Sequence, residues 1–78
     1  VAYQGINLDT LQFMVDNGIF TDTVDFTSLV DARLATKNDL VKILGRGVLK
    51  SKLKVSAHKF TETAKLAIEN AGGEVVIL

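Results

Sequence analysis

The 78-residue sequence carries nine basic and nine acidic side chains, a formal net charge of zero, and no cysteine or proline. A chain of this length forms one small domain, and without cysteine it has neither a disulfide framework nor a thiolate metal site. No apolar run approaches the ~20 residues that span a bilayer, and no signal-peptide pattern opens the sequence. We therefore expect a soluble domain. Because the first residue is Val1 rather than methionine, we also expect a fragment or a processed product.

The neutral total conceals a block pattern of charge. Residues 1–32 contain five aspartates and no base, residues 33–60 contain eight bases against Asp39, and residues 61–78 contain Lys65 against three glutamates. The three blocks therefore carry net charges of −5, +7 and −2. A basic block of this kind favours a polyanionic partner, although a surface whose charges intermix after folding gives the same pattern.

The acidic first third predicts two short helices. Ile6 and Leu8 indicate a short strand. Asp9 or Thr10 is placed to cap the helix that follows, and Gly18 is placed to end it. The apolar residues on the buried face of this helix are Leu11, Met14 and Val15.

The second helix is predicted within VDFTSLVDARLA, residues 24–35, with Asp25 or Thr27 as its cap. Helical spacing of the apolar residues predicts its inward face. The inward residues are Phe26, Leu29, Val30 and Leu34.

The basic middle block predicts two strands. Residues 37–39 form a turn that leads into the strand LVKIL, residues 40–44, and Gly45 and Gly47 permit a bend after it. KLKVSA, residues 52–57, alternates between apolar and polar side chains, which is the pattern of a half-buried strand. Its predicted inward residues are Leu53, Val55 and Ala57, and its outward residues are Lys52, Lys54 and Ser56.

The last third predicts a helix followed by a strand. Thr61 caps the helix, with Glu62 favourably placed in its first turn, and Gly72 or Gly73 ends it with a positive φ. The continuous apolar run of EVVIL, residues 74–78, predicts a strand inside a sheet. The buried stripe of the helix is Ala64, Ala67, Ile68 and Ala71. The alternation of short strands and helices predicts an α/β fold with a small mixed sheet.

No motif for cofactor, metal or catalytic chemistry is complete. Gly45-Arg46-Gly47 follows a predicted strand, but Lys50 stands where the dinucleotide fingerprint has its third glycine, and a strand follows instead of a helix. His58 and Glu62 make only two candidate metal ligands, and residues 16–25 lack the closing glutamate of a calcium loop. The serines have no nucleophile elbow and no base partner. The sequence therefore predicts a protein that is not an enzyme and binds no cofactor.

Lys50, Lys52 and Lys54 are the sharpest feature of the basic block. On a strand they share one face at roughly 6.8 Å spacing, from a rise of ~3.4 Å per residue, which is about the separation of successive phosphates along a nucleic-acid strand. Lysines also protect the exposed edge strand of a sheet, and the residues alone leave both alternatives open. The aromatic side chains are spaced as core residues, so we expect nucleic acid to be bound through phosphates more than through bases. These aromatic residues are Tyr3, Phe13, Phe20, Phe26 and Phe60.

The segment from Lys42 to Gly73, KILGRGVLKSKLKVSAHKFTETAKLAIENAGG, resembles the C-terminal signature of the family of the fifteenth protein of the bacterial large ribosomal subunit. INLDTL, residues 6–11, is similar to the Asn-Leu motif that the family has before its first helix. The matching positions are Lys42 with two aliphatic residues, Gly45-x-Gly47, Leu49, Leu53, Val55, Phe60-Thr61, Ala64, Ile68 and Gly72.

The resemblance implies a structural, non-catalytic component of the large subunit that binds 23S-type rRNA and contacts neighbouring ribosomal proteins. It implies no cofactor, small-molecule substrate or membrane, a location in a cytoplasmic or organellar ribosome, and an irregular arrangement of strand–strand–helix units. Family members also carry a basic, glycine-rich N-terminal extension that is absent here, so we expect residues 1–78 to be a single domain, the C-terminal globular half. The residues expected to contact rRNA are Lys42, Arg46, Lys50, Lys52, Lys54, His58 and Lys59.

A non-enzymatic protein-interaction domain is the alternative function. In that case the lysine-rich strand is a sheet edge that pairs with another chain. Binding of nucleic acid that is lost at high salt supports the rRNA interpretation, whereas self-association that is insensitive to salt supports the alternative.

Overall fold

Six short strands and three helices make up the protein in a computed structural model that describes residues 2–78. Within this range no helix is long and apolar enough to cross a membrane. Strands and helices alternate along the chain, which confirms the predicted α/β class. The elements are β1 (Tyr3–Asn7), α1 (Leu8–Asp16), β2 (Thr23–Val24), α2 (Phe26–Asp31), β3 (Leu40–Leu44), β4 (Lys54–Ala57), β5 (Lys59–Phe60), α3 (Glu62–Asn70) and β6 (Glu74–Ile77).

The strands form two three-stranded sheets. The first sheet has the order β1-β3-β5, and the second has the order β2-β4-β6. All pairings in both sheets are parallel. Parallel neighbours cannot be joined by a tight turn and need a longer crossover. The chain meets this requirement by alternating between the sheets, so that successive strands lie in different sheets.

One apolar core joins both sheets and the three helices. The inward residues Val41 and Ile43 of β3 and Val55 and Ala57 of β4 are completely buried. Full burial of a side chain of the size of valine or isoleucine contributes about 1.5–3 kcal/mol, so these central strands anchor the fold. Most of the predicted inward helix positions are confirmed, with Leu11, Leu29, Ala64 and Ile68 buried and Met14, Val15, Phe26 and Ala67 half-buried against the core. Leu34 also packs against the core but lies after the end of α2, and Val30 and Ala71 are half-buried.

Helix α2 begins as predicted and ends earlier. The Oδ1 atom of Asp25 accepts hydrogen bonds from the backbone N–H of Ser28 at 2.8 Å and from its hydroxyl at 2.9 Å. These bonds stabilise the carboxylate and lower the pKa of Asp25. The helix ends at Asp31, and Arg33 takes a φ of 62°, which turns the chain away before the predicted end at residue 35.

Helix α3 has both of its predicted ends. The Oγ1 atom of Thr61 accepts a hydrogen bond from the backbone N–H of Ala64 at 3.2 Å, and Glu62 lies in the first turn. Gly72 has a φ of 87° just after the helix, which confirms the predicted left-handed residue.

Helix α1 begins differently from the prediction. Asp9 and Thr10 lie inside the helix, and Asn7 is its N-cap residue. Asn7 makes no capping hydrogen bond, because its Oδ1 atom accepts from the backbone N–H of Arg46 at 3.2 Å. The start of α1 is therefore tied to the loop after β3, a contact between distant segments that local spacing does not reveal.

The predicted extent of one strand, β4, and the predicted interior position of another, β6, are wrong. β4 begins at Lys54, so that Lys52 lies outside it, and β4 is the central strand of the second sheet. β6 is an edge strand beside it, and its residue Ile77 is exposed. Ser56, predicted to face outward, is only 9% exposed. Since β4 has no free edge, the alternative of a lysine-rich edge strand that pairs with another chain is excluded.

The prediction that the aromatic side chains fill the core is wrong for two of them. Phe20 is buried, and Phe26 and Phe60 are half-buried against the core. Tyr3 is 43% exposed and Phe13 is 61% exposed. Both exposed rings lie on the surface of the first elements of the chain, β1 and α1.

Candidate nucleic-acid interface

The basic side chains proposed from the sequence do not form a single row. Besides His58 they fall into three groups: Lys42 and Lys59 on the first sheet, Arg46 and Lys50 on the loop between β3 and β4, and Lys52 just before β4 with Lys54 as its first residue. Among residues 2–78 the only ion pair joins Arg46 Nε to Asp9 Oδ2 at 3.2 Å. The lysines of all three groups therefore keep their charge available for an external anion.

The first sheet brings two lysines together on one side. Lys42 on β3 and Lys59 on β5 are Cα partners in the parallel register, and partners on strands about 4.8 Å apart point to the same side of a sheet. Like charges placed side by side destabilise a sheet. An anion bound to Lys42 and Lys59 removes this cost, which the free protein carries.

Tyr3 extends the surface that the two lysines share. Tyr3 and Leu40 are Cα partners on β1 and β3. Although β1 and β5 lie on opposite sides of β3, Lys59 Nζ is 5.9 Å from the centroid of the Tyr3 ring. The two side chains meet above β3 in a cation–π contact, which at an exposed site contributes about 0.5–1 kcal/mol. We call the surface formed by Tyr3, Gly5, Leu40, Lys42, Leu44 and Lys59 the outward face.

The loop between β3 and β4 is held against α1 by the amide of Gln12. Its Oε1 atom accepts hydrogen bonds from the backbone N–H groups of Lys50 at 2.8 Å and Ser51 at 3.2 Å. Its Nε2 atom donates to Ser51 Oγ at 3.1 Å and to Asp16 Oδ1 at 2.9 Å. Sequence analysis missed Gln12, because nothing in the local pattern of α1 indicates a partner 38 residues away.

Gly47 lets the same loop approach the beginning of α1. It has a φ of 96°, and a Cβ atom on it would lie 2.5 Å from the Cβ atom of Asp9. At this point the backbone N–H of Asp9 donates to the carbonyl oxygen of Arg46 at 3.1 Å. The exposed Arg46–Asp9 ion pair contributes about 0–1 kcal/mol, so a phosphate competes readily with Asp9 for the guanidinium.

Replacing Gln12 with leucine is expected to free the loop. The substitution removes the acceptor for the N–H groups of Lys50 and Ser51, which costs about 0.5–1.5 kcal/mol for each hydrogen bond. Hydrogen–deuterium exchange of these two amides should accelerate, while exchange in β3 stays unchanged. The matched control is Asp16→Asn, which keeps Gln12 and its acceptor oxygen and should leave both amides protected. Unchanged exchange in Gln12→Leu would show that the loop is held by other contacts.

Acidic neighbours surround the third group of bases. Lys54 has Thr23 and Glu74 as Cα partners on its two sides. A shallow groove beside it is lined by Asp22, Lys52, Lys54 and Glu74. The two carboxylates oppose the approach of a phosphate. The predicted row of three lysines along one strand is wrong, since only Lys54 lies within β4.

His58 is used within the fold. Its Nδ1 atom accepts a hydrogen bond from the backbone N–H of Val41 at 2.9 Å, and its own backbone N–H donates to the carbonyl oxygen of Val41 at 3.0 Å. The imidazole packs edge-on against Phe26, with ring centroids 5.7 Å apart. Only Nε2 is left to reach a phosphate, so an RNA contact by His58 stays a prediction. In the described part of the chain no group of three or more potential ligands lies close enough to hold a metal.

Comparison with known proteins identifies the family. A family model that describes ribosomal proteins, namely 50S-L15, 50S-L18e and their counterpart in the 60S subunit, matches residues 5–76. The chain belongs to this family. This membership confirms the resemblance that residues 42–73 carry in the sequence.

This chain is similar to two relatives that share one name. The "Large ribosomal subunit protein uL15" of Flavobacterium psychrophilum is 68% identical over 78 residues, and that of Bacteroides thetaiotaomicron is 45% identical over 78 residues. Both alignments cover 100% of this chain and 52% of the relative. The chain therefore spans about half the length of the curated relatives it matches.

Proposed function

We propose that this chain is part of a structural, non-enzymatic constituent of the large ribosomal subunit, which binds large-subunit rRNA through phosphates and supports subunit assembly. The observation that carries the proposal is the 68% identity, over the whole chain, to the large ribosomal subunit protein uL15 of Flavobacterium psychrophilum. By the same likeness, its partners are rRNA and neighbouring large-subunit proteins, and its location is the cytoplasmic ribosome.

The electrostatics of the fold support some basic residues more than others as phosphate contacts. Lys42 and Lys59 carry adjacent positive charges that no carboxylate of residues 2–78 pairs with. Arg46 and the loop residue Lys50 are exposed and held in place. The lysines near Glu74 are supported least, because acidic side chains line the same groove. The proposed rRNA contacts remain Lys42, Arg46, Lys50, Lys52, Lys54, His58 and Lys59.

We also propose that these residues form the C-terminal globular half of a longer protein. Coverage of 52% of the relatives' length supports a half-length unit, and the resemblance assigns the missing half to a basic, glycine-rich extension. The upstream sequence of the encoding gene tests this proposal. An unrelated domain encoded directly before Val1 would contradict it.

Sedimentation of ribosomal particles tests the proposed function. When the chromosomal gene is given an epitope tag, the tagged protein should sediment with the large subunit and be absent from small-subunit fractions. Because phosphate contacts weaken steeply with salt, a high-salt wash should release more of it than a low-salt wash does. A tagged protein that stays at the top of the gradient at low salt would contradict the proposal.

A further inference from the structure

Within residues 2–78 the residues on the outward face of the first sheet are all exposed or half-buried. Sheets made only of parallel strands occur almost only with both faces covered. Here the inward residues Ile6, Val41 and Ile43 are buried, whereas Tyr3 and Lys59 on the outward face are exposed. The outward face therefore lacks the full burial that both faces of a parallel sheet normally have.

The outward face combines apolar surface with positive charge. Tyr3 is the register partner of the half-buried Leu40, the half-buried Leu44 lies further along the same face of β3, and Lys42 and Lys59 add two charges. None of the strand residues that form this face is acidic. Gly5, the partner of Lys42 on β1, has no side chain, and a Cβ atom there would lie 2.7 Å from Leu44 Cδ1. The face is shallow and cationic, so its occupant has to bring negative charge together with a flat apolar group.

We propose that the outward face binds an unpaired segment of RNA, with a base stacked on Tyr3 and adjacent phosphates bound by Lys42 and Lys59. Splayed bases that stack on aromatic side chains, with phosphates that track basic residues, are how proteins bind single strands. A duplex offers the phosphates but keeps the faces of its bases inside the stack. Lys59 Nζ lies over one face of the Tyr3 ring, 5.9 Å from its centroid, so the base stacks on the opposite face and Lys59 binds the phosphate of an adjacent nucleotide. This inference rests on the proposed function. It specifies that the RNA bound by the outward face is an unpaired segment.

The tyrosine emission of the chain reports on this site directly. Tyr3 is the single tyrosine, and the sequence has no tryptophan. Titration with a short unpaired oligoribonucleotide at low salt should quench the emission, after correction for RNA absorbance with free tyrosine amide. The same oligonucleotide annealed to its complement should leave the emission unchanged, because its bases are not free to stack.

Variants separate stacking from phosphate binding. With a labelled unpaired RNA, Tyr3→Leu should weaken binding at least about fivefold, the lower end of what a base–aromatic stack contributes. Its slope of log affinity against log salt should not change. Tyr3→Phe keeps the aromatic face and should bind as the parent chain does. Phe13→Leu, at an exposed ring on α1, is the matched control and should have no effect.

The outcomes distinguish this inference from the proposed function. Equal, salt-dependent binding of the unpaired and duplex RNA, unaffected by Tyr3→Leu, would overturn the stacking site and leave rRNA binding through phosphates in place. Absence of binding to either RNA at low salt would contradict both. Quenching that depends on protein concentration without RNA would show that a second copy of the chain covers the outward face, and would also overturn the inference.

Discussion

Replacing Gly73 with alanine is expected to lower the free energy of unfolding by about 3 kcal/mol or more, at or beyond the upper end of the usual cost of overpacking. A Cβ atom on Gly73 would lie 2.0 Å from the carbonyl oxygen of Leu53. The same oxygen accepts the backbone N–H of Glu74 at 3.1 Å, and the N–H of Gly73 donates to Ile68 at 2.9 Å. The turn that contains Gly73 and Glu74 therefore cannot move away from Leu53 without loss of these hydrogen bonds and of the β4–β6 register.

Gly72 provides the matched control next to it. Its φ of 87° makes alanine unfavourable, but a Cβ atom there meets only the Lys52 side chain, at 3.8 Å. Gly72→Ala should therefore cost only the left-handed backbone penalty of about 1–2 kcal/mol. Urea unfolding of the two variants measures the difference. Equal losses, or a smaller loss for Gly73→Ala, would show that the contact with Leu53 relaxes and that backbone conformation alone selects glycine at this turn.

The contrast between these glycines illustrates what the sequence predicts and what it does not. A glycine after a helical stripe predicts a left-handed residue from local chemistry alone, and Gly72 confirms it. The close approach of Gly73 to Leu53 depends on which strand lies beside β6, and that pairing is set by contacts far apart in sequence. For the same reason the sequence predicts the apolar run of β6 inside a sheet and leaves open whether the lysine-rich strand is an edge. Alternation of side chains reports the burial of a strand but does not report its neighbours.

The candidate interface likewise has features that the sequence predicts and features that only the fold shows. The sequence predicted that the positive charge lies in residues 33–60 and named Lys42 and Lys59 among the candidates. It did not predict that these two lysines are neighbours, because their proximity follows from the parallel β3–β5 register. The sequence does not predict the exposure of Tyr3, because its spacing is that of a core residue and its exposure becomes visible only when β1 is placed at the edge of the first sheet.

Replacing Lys42 with glutamine is expected to stabilise the chain and to weaken RNA binding at the same time. Removal of one of two like charges on adjacent strands should raise the free energy of unfolding by about 0.2–1 kcal/mol, since glutamine keeps most of the side-chain volume. The gain should shrink as salt is added, because salt screens the repulsion. The slope of log affinity against log salt should flatten by about 0.7 for a single-stranded RNA, since one phosphate contact is lost.

Lys54→Gln is the matched control because its register partner carries the opposite charge. Lys54 lies beside Glu74, so its removal should lower stability slightly and should flatten the salt slope less than Lys42→Gln does. The Lys59→Gln variant should bind RNA as Lys42→Gln does. Its free energy of unfolding should rise less, because it also loses the contact with the Tyr3 ring. Thermal unfolding at low and high salt, together with RNA titrations, gives both quantities for each variant. If Lys42→Gln destabilised the chain, repulsion between Lys42 and Lys59 would not cost the free protein stability. If Lys54→Gln flattened the slope more, the phosphate-binding surface would lie at the second sheet and not on the outward face. A surface that binds RNA at the expense of stability in the free chain is expected to show both effects in Lys42→Gln, because the same unpaired charge produces them.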